Sequence, residues 1–550
     1  MKEIKQILQT FISDALKKMN IEFAVEDIAL EPTKQPEHGD WATNIAMQLA
    51  SKTGTSPRKI AGDIVNKLEK DPGIIERVDI AGPGFINFHL SWEYFRRAVS
   101  HIIELGDKFG CTDFGKGEKL QIEFVSANPT GPLNVVSARA ASIGDIMANL
   151  LSAIGFSVDR EFYINDAGRQ VRLLGASVSS RYMELFGQTE PFPEDGYHGD
   201  YVYQLATEIA AEHGDRFTSM NVDERIAALA QISLEKMVAA QQRIMAQFGV
   251  HFQNWFAETQ LRQQKAHLQV LDRLQQTGFT YEQDGAIWFR SSQFGDEKDR
   301  VLITSDGEPT YFLVDIAYHC SKYQRGYQKL FDIWGPDHHG YIARMKAALL
   351  ALGYPENSFS VEIVQQVNLL RSGEVIKMSK RAGKIIEMEE VINEVGVDAA
   401  RFFFVNRKCS SHLDFDIDLA KKQSDENPVY YVQYAHARIS NILKYAAEQG
   451  ISIDGPVRLD RIAEPEEKQL LKKLLQLTEI IVGAATSWEP HRLTGYLLEL
   501  ASDYHHFYQK QRVVSEDIEL SRARLLLMQA TKIVFANSLK ILGISAPEYM

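Results

Sequence analysis

The stretch Leu120-Gln121-Ile122-Glu123-Phe124-Val125-Ser126-Ala127-Asn128-Pro129-Thr130-Gly131-Pro132-Leu133-Asn134-Val135 decides the fold. Leu120, Ile122 and Phe124 alternate with Gln121 and Glu123, which is the two-residue period of a strand with unlike faces. The run from Ala127 to Pro132 holds two prolines and a glycine, so it can neither continue the strand nor lie inside a helix. Beyond it, Ile143, Ile146, Met147 and Leu150 recur at helical spacing over 135–151, and 158–164 reads as a second strand. Strand, loop, helix and strand make a βαβ unit. Such units build a doubly wound parallel sheet, Rossmann-like, whose ligands sit at the carboxyl ends of its strands.

Working outward, residues 1–110 read as a small α/β domain that ends in the alternating segment Gly84-Phe85-Ile86-Asn87-Phe88-His89-Leu90. Residues 108–119, rich in Gly, Asp and Lys, suit a linker. The α/β domain spans 111–424, with a helical insertion near 170–280 before strand-like segments return at 286–290, 301–304 and 330–334. From 425 to 550 the pattern is helical, with segments at 430–447, 466–485, 491–510 and 520–542: an all-α bundle. A chain of 550 residues has room for three such units, at roughly 150 residues per domain.

Composition narrows the class further. Hydrophobic residues make up 45% and charged residues 24%, which places the chain with globular proteins rather than disordered or fibrous ones. Three scattered cysteines, Cys111, Cys320 and Cys409, support neither a disulfide framework nor a zinc site, and fit a reducing cytoplasm. No run of apolar residues is long enough to suggest a membrane span, and the amphipathic N-terminus, carrying Glu3 and Asp14, is unlike a secretion signal. The net charge of −13 argues against indiscriminate nucleic-acid binding but leaves room for a local basic patch.

That patch is Lys377-Met378-Ser379-Lys380-Arg381-Ala382-Gly383-Lys384, which carries four cations and no acid and is flanked by Gly373. A solvated basic loop is the ordinary reading. Lysines and a glycine-jointed backbone also suit a loop that stabilises charge on a leaving pyrophosphate. Lys377-Met378-Ser379-Lys380 resembles the KMSKS-type signature of class I aminoacyl-tRNA synthetases. The segments Glu123 to Leu133, Tyr163-Ile164-Asn165-Asp166-Ala167-Gly168, Tyr311 through Asp315, Trp334-Gly335-Pro336-Asp337-His338-His339-Gly340 and Val397-Asp398-Ala399-Ala400-Arg401 resemble the arginyl-tRNA synthetase family in particular. The resemblance covers essentially the whole chain.

The resemblance implies ATP-dependent attachment of L-arginine to its tRNA through an arginyl-adenylate, with ATP used as its Mg2+ complex and no tightly bound protein metal. It implies no protein partner and a need for tRNA in the activation step. Lys377 and Lys380 become the expected catalytic residues, acting on phosphate charge. Met378 and Ser379 join Ala127, Asn128, Pro129, Thr130, Gly131, Pro132, Leu133, Asn134, Val135, Val136 and Ser137 around ATP. For arginine, a guanidinium is best met by carboxylate oxygens. Tyr311 and Asp315, four apart, share a face if Tyr311 starts a helix. Glu123, Ser126 and Asn128 match positions around the amino acid, with Asp337 and His338 as looser candidates. The His338-His339 pair is weak evidence for a metal, because neighbours on a strand face opposite ways and further ligands are lacking.

The chain departs from the family at one place. Where a His-x-Gly-His tetrad usually meets the ATP phosphates, it has Asn134-Val135-Val136-Ser137, which lacks imidazoles and places a β-branched valine at the glycine position. One reading is a variant synthetase in which the unpaired N–H groups of the helix opening at Val135 still attract phosphate. The alternative is a tRNA-binding relative that has lost activation. A third, a small-molecule nucleotidylyltransferase, leaves the bundle unexplained. On the RNA side, Tyr431 and Tyr434 with Arg438 form an aromatic and basic helix face suited to anticodon bases, with core packing as the plain alternative. By resemblance, the 1–110 domain meets the tRNA elbow, where Asn87 contacts a base, and Met550 borders the anticodon.

Overall fold

The alternation at 120–124 becomes the strand Lys119–Glu123, the middle of a five-stranded parallel sheet. The structure, a computed structural model, describes residues 4–33, 35–376 and 386–550. Ser157–Ile164 and Lys329–Trp334 flank the middle strand, and Asn254–Ala257 and Phe359–Ile363 form the two edges. The chain winds outward one way from its first strand and then returns to wind the other way. The switch point therefore lies between Lys119–Glu123 and Lys329–Trp334, where a crevice opens beyond the strand ends.

Two helices cover the faces. Val135–Ala153 lies on the side of Leu120, Ile122 and Phe124, and Tyr311–Gln324 on the side of Glu123. The first helix approaches closely because of Gly144: a Cβ there would stand 2.2 Å from the Phe124 ring.

Two expectations need correction. The 170–280 region is helical in Arg169–Leu185, Asp200–His213 and Val222–Gln247, but it also contains the edge strand Asn254–Ala257. Four residues are too few for periodicity to reveal a strand. Ala286–Phe289 and Arg300–Ile303 do not return to the parallel sheet; with Thr280–Gln283 they form a separate antiparallel one.

Before this region, the strands Glu31–Pro32, Trp41–Thr43, Phe85–Leu90 and Ile75–Ala81 make a four-stranded antiparallel sheet. After it come the helices Pro428–Glu448, Pro465–Leu475, Leu477–Thr486, His491–Lys510 and Ile518–Leu542. The two ends of the chain touch: Arg96 Nη2 donates to the Ile462 carbonyl at 2.8 Å, and Lys472 pairs with Asp40. Ile518–Leu542 is long and apolar enough by length and composition to cross a membrane, which the sequence pattern alone did not suggest. Here it packs into the bundle, with Arg524 Nε on Glu467 Oε1 at 2.7 Å and Asn537 Nδ2 on the Phe109 carbonyl at 3.0 Å.

One side chain joins the parts. Arg401 is fully buried and donates to the Leu542 carbonyl at 2.9 Å, the Phe248 carbonyl at 3.2 Å and the Asp145 carboxylate at 2.5 Å. The C-terminal helix ends there at Gly543, with φ 64°, where a Cβ would meet the guanidinium at 2.3 Å.

Gly144→Ala should destabilise the sheet–helix contact by about 1–3 kcal/mol, read as an earlier denaturant unfolding transition, because the added methyl overlaps a fully buried ring. An unchanged midpoint would show that the contact yields without cost.

Candidate functional site

At the switch point the sequence places acids. Glu123 ends the middle strand, and its Oε1 accepts from the Ser126 hydroxyl at 2.8 Å. The chain bends sharply there, with Val125 and Ser126 at φ 69° and 39°. This turn sends the Ser126 hydroxyl back under the strand end, where it also accepts from the Tyr163 N–H at 3.1 Å. Across the crevice, Thr310 caps the helix Tyr311–Gln324 by accepting from Leu313 N, and Asp315 lies one turn in. Tyr341 donates to Asp315 Oδ2 at 2.6 Å.

Burial raises the Asp315 carboxyl to about 6; Tyr341 and His319 oppose the rise, and the charges of Glu123 and Glu258 add to it. The described residues form no lysine or arginine ion pair with Asp315. Glu258 is buried beside it and takes Arg262 as its partner. Tyr163 borders the same space; burial, then Glu258, pushes its hydroxyl well above the ordinary tyrosine range. The site is a pocket with an anion in excess.

Not every expected residue lines it. Tyr311 shares the helix with Asp315 but is 72% exposed, and the phenol that Asp315 meets belongs to Tyr341. Asp337 and His338 are exposed on the 3-10 turn Pro336–Tyr341, so that turn delivers Tyr341 to the pocket instead. His338-His339 therefore lies on a turn at the strand's end. Asn128 is exposed and donates to Gln170 Oε1 at 2.8 Å.

The loop after Ser126 also differs from expectation. Pro129, Thr130, Leu133 and Val135 are buried. The Thr130 and Gly131 carbonyls are held by the Tyr201 hydroxyl at 2.8 Å and Gln241 Nε2 at 3.1 Å. Ala127, Val136 and Ser137 are partly open. Asn134 is the N-cap of Val135–Ala153: its Oδ1 accepts from Val136 N at 2.9 Å and Ser137 N at 3.1 Å. The unpaired N–H groups expected for phosphate are thus partly satisfied from within, as a strong capping residue does. Lys377, Met378, Ser379 and Lys380 lie outside the described residues. The chain before them is anchored by Ile376 N on the Leu369 carbonyl at 2.8 Å. After them it is anchored by Met388 N on the Leu133 carbonyl at 2.8 Å, beside an Asn134–Glu387 bridge.

Family models match along the chain: "Arginyl tRNA synthetase N terminal domain" at residues 6–90, "tRNA synthetases class I (R), catalytic domain" at 99–427 and "DALR anticodon binding domain" at 432–550. A protein of Bacillus licheniformis named arginine–tRNA ligase is 47% identical, covering 100% of this chain and 99% of that protein. The chain belongs to the arginyl-tRNA synthetase family. A Geobacillus kaustophilus protein of the same name is 48% identical over 100% of this chain and 99% of its own. The solved Thermus thermophilus arginyl-tRNA synthetase shares the fold, at TM-score 0.78 and 23% identity with all of both chains covered.

In this family member, the helix Pro428–Glu448 presents the tyrosine face within a larger aromatic cluster. The Tyr431 ring lies 4.8 Å and the Tyr434 ring 6.1 Å from His505, and Arg438 sits 4.1 Å above Tyr508. Both tyrosines are half-buried, so packing and an open edge coexist. The C-terminal tail runs along the same helix, with His436 Nδ1 2.8 Å from the Pro547 carbonyl, and ends in an exposed Met550. Asn87 departs from expectation: paired on both sides in mid-sheet, it is only 4% exposed, while its face neighbour Phe85 is open. The residues that sequence reading missed are Tyr341, Glu258, Tyr163 and the buried set Tyr318, His319, Lys322. With Asp315, the buried set forms a polar stripe at positions i, i+3, i+4 and i+7 of one helix, a visible signal.

Asn134→Ala should cost about 0.5–2 kcal/mol of folding stability and Asn134→Asp almost nothing, because aspartate keeps the capping oxygen. Equal losses in a thermal unfolding comparison would deny the cap its role.

Proposed function

We propose that the chain attaches L-arginine to its cognate tRNA in two steps. The arginine carboxylate first attacks the α-phosphate of ATP and expels pyrophosphate. A hydroxyl of the terminal tRNA ribose then attacks the adenylate carbonyl and expels AMP. The full-length match to arginine–tRNA ligases carries this reading. It also favours the synthetase over the activation-deficient alternative, which no specific observation supports.

The geometry supports named roles. Asp315 takes the guanidinium, because a half-buried carboxylate with no lysine or arginine partner among the described residues is relieved by a cation. Glu123, Ser126 and Tyr163 frame the amino acid at the strand end. No protein nucleophile is needed, so rate comes from positioning and from charge stabilisation on phosphate. Lys377 and Lys380 supply the latter, and ATP enters as its Mg2+ complex. With two helix N–H groups held by Asn134, the nucleotide depends more on the basic loop than a histidine tetrad would require. The 1–110 and 425–550 domains bind the tRNA elbow and anticodon, the latter through the Tyr431 and Tyr434 face and the Met550 end. The reaction belongs in the cytoplasm, where translation consumes its product.

Purified protein with arginine, ATP, Mg2+ and cognate tRNA should form arginyl-tRNA; tRNA binding without charging would restore the inactive alternative. Lys380→Ala should lower turnover by about two orders of magnitude or more with tRNA affinity nearly unchanged. Parallel losses in both would remove its catalytic role.

The pH dependence follows from Asp315. Its carboxyl titrates near 6, so the anion that meets the guanidinium is present above that pH and is lost as pH falls through it. The arginine KM should therefore rise about tenfold from pH 7 to pH 5, and in Asp315→Asn it should be high and flat. A wild-type KM that does not change with pH would exclude Asp315 from the pocket.

A further inference from the structure

Behind the pocket, Glu123, Glu161 and Asp332 stand abreast on three adjacent strands, paired in register as Glu123 with Glu161 and Asp332 with Glu123. All three are buried. Strands about 4.8 Å apart bring such carboxylates into mutual repulsion. The Tyr311–Gln324 helix and its C-cap answer them. Arg325 Nη2 and the Tyr318 hydroxyl hold Glu161 at 2.8 and 2.6 Å. Lys322, fully buried, places Nζ 2.5 Å from Glu123 Oε2 and 3.0 Å from Asp332 Oδ1. Burial works against its ammonium, but Asp332, Glu123 and Glu161 together outweigh burial and raise its pKa above the lysine range. Asp332 Oδ2 lies 2.8 Å from His319 Nε2, and His319 Nδ1 lies 2.7 Å from the Asp315 carbonyl.

Two features set this apart from ordinary core packing. Buried ion sets are often no more stable than apolar ones, so stability alone does not account for the arrangement. Within the Lys322 cluster, Lys322 and Asp332 are sealed, and Glu123 is the member at the pocket. With Lys322 on one oxygen and the Ser126 hydroxyl on the other, the Glu123 carboxylate cannot rotate.

We infer that Lys322 is a positioning residue for the amino-acid substrate: it fixes the orientation of the Glu123 carboxylate toward the pocket and never touches arginine itself. This rests on the reading of the pocket as the arginine site. Through Asp332 and His319 the same contacts reach the backbone of Asp315, so both pocket acids are seated on one buried frame.

The test is aminoacylation by the full-length chain, with arginine and ATP varied separately, for Glu123→Gln, Lys322→Met and the double variant. Lys322→Met should raise the arginine KM by about 100-fold and the ATP KM by less than about threefold. In the Glu123→Gln background it should add less than about twofold, since its effect runs through Glu123. Multiplied losses in the double variant, or equal losses for both substrates, would mark Lys322 as merely structural and overturn the inference. If Lys322→Met does not fold, Lys322→Arg keeps the buried charge but changes its reach. It should move the arginine KM by about tenfold with the melting temperature held, and an unmoved KM would overturn the inference. Failure of the wild type to charge arginine refutes the functional reading itself. A raised KM in Glu123→Gln without one in Lys322→Met refutes only the role of Lys322.

Discussion

A single ammonium between two carboxylates underlies the active region. The parallel register that builds the sheet also aligns Glu123 and Asp332 side by side in a dry interior, and Lys322 is the cation that bridges the two. Burial of the cation is what lets an acidic strand end exist at the switch point. The pocket's chemistry and the helix–sheet packing thus share one ion set, and a change made for one is felt by the other. Asp315 differs from the sealed acids. It accepts a hydrogen bond from the Tyr341 phenol and, among the described residues, has no lysine or arginine partner, so its charge, where ionised, is open to a cationic ligand.

The Asn134 cap shows a different compromise. Asparagine there turns its oxygen back to the helix and spends it on local stability. The helix start is therefore firmer than an open anion site, because two of its N–H groups are already satisfied. The backbone pairing of Met388 with Leu133 ties the chain that follows the basic segment to the residue just before the cap.

Much of this was readable from residue order. The alternation through Phe124, the proline-glycine break and the helical spacing from Val135 gave the βαβ core, and the spacing of Tyr311 and Asp315 placed both on one helix. What stayed hidden was pairing across the sheet. Nothing local in Asp332 or Glu161 announces that register sets them beside Glu123, and Lys322 reads as one more charge on a helix until the strand beneath it is known. Tyr341 was hidden for a related reason: a 3-10 turn, unlike a strand, carries the last residue of its segment inward and leaves Asp337 and His338 in water. Asn87 was expected at a base by resemblance alone, and nothing in its alternating strand shows that its face is covered.

Arg401 has a mechanical corollary. Its guanidinium grips the last turn of the C-terminal helix, the insertion and the side of the helix that starts at Val135, and Gly543 leaves no slack around it. A rigid plane bonded at three points transmits tilt like a pin through three plates. A tilt of the last turn of the C-terminal helix therefore bears on Asp145, midway along the helix that starts at Val135.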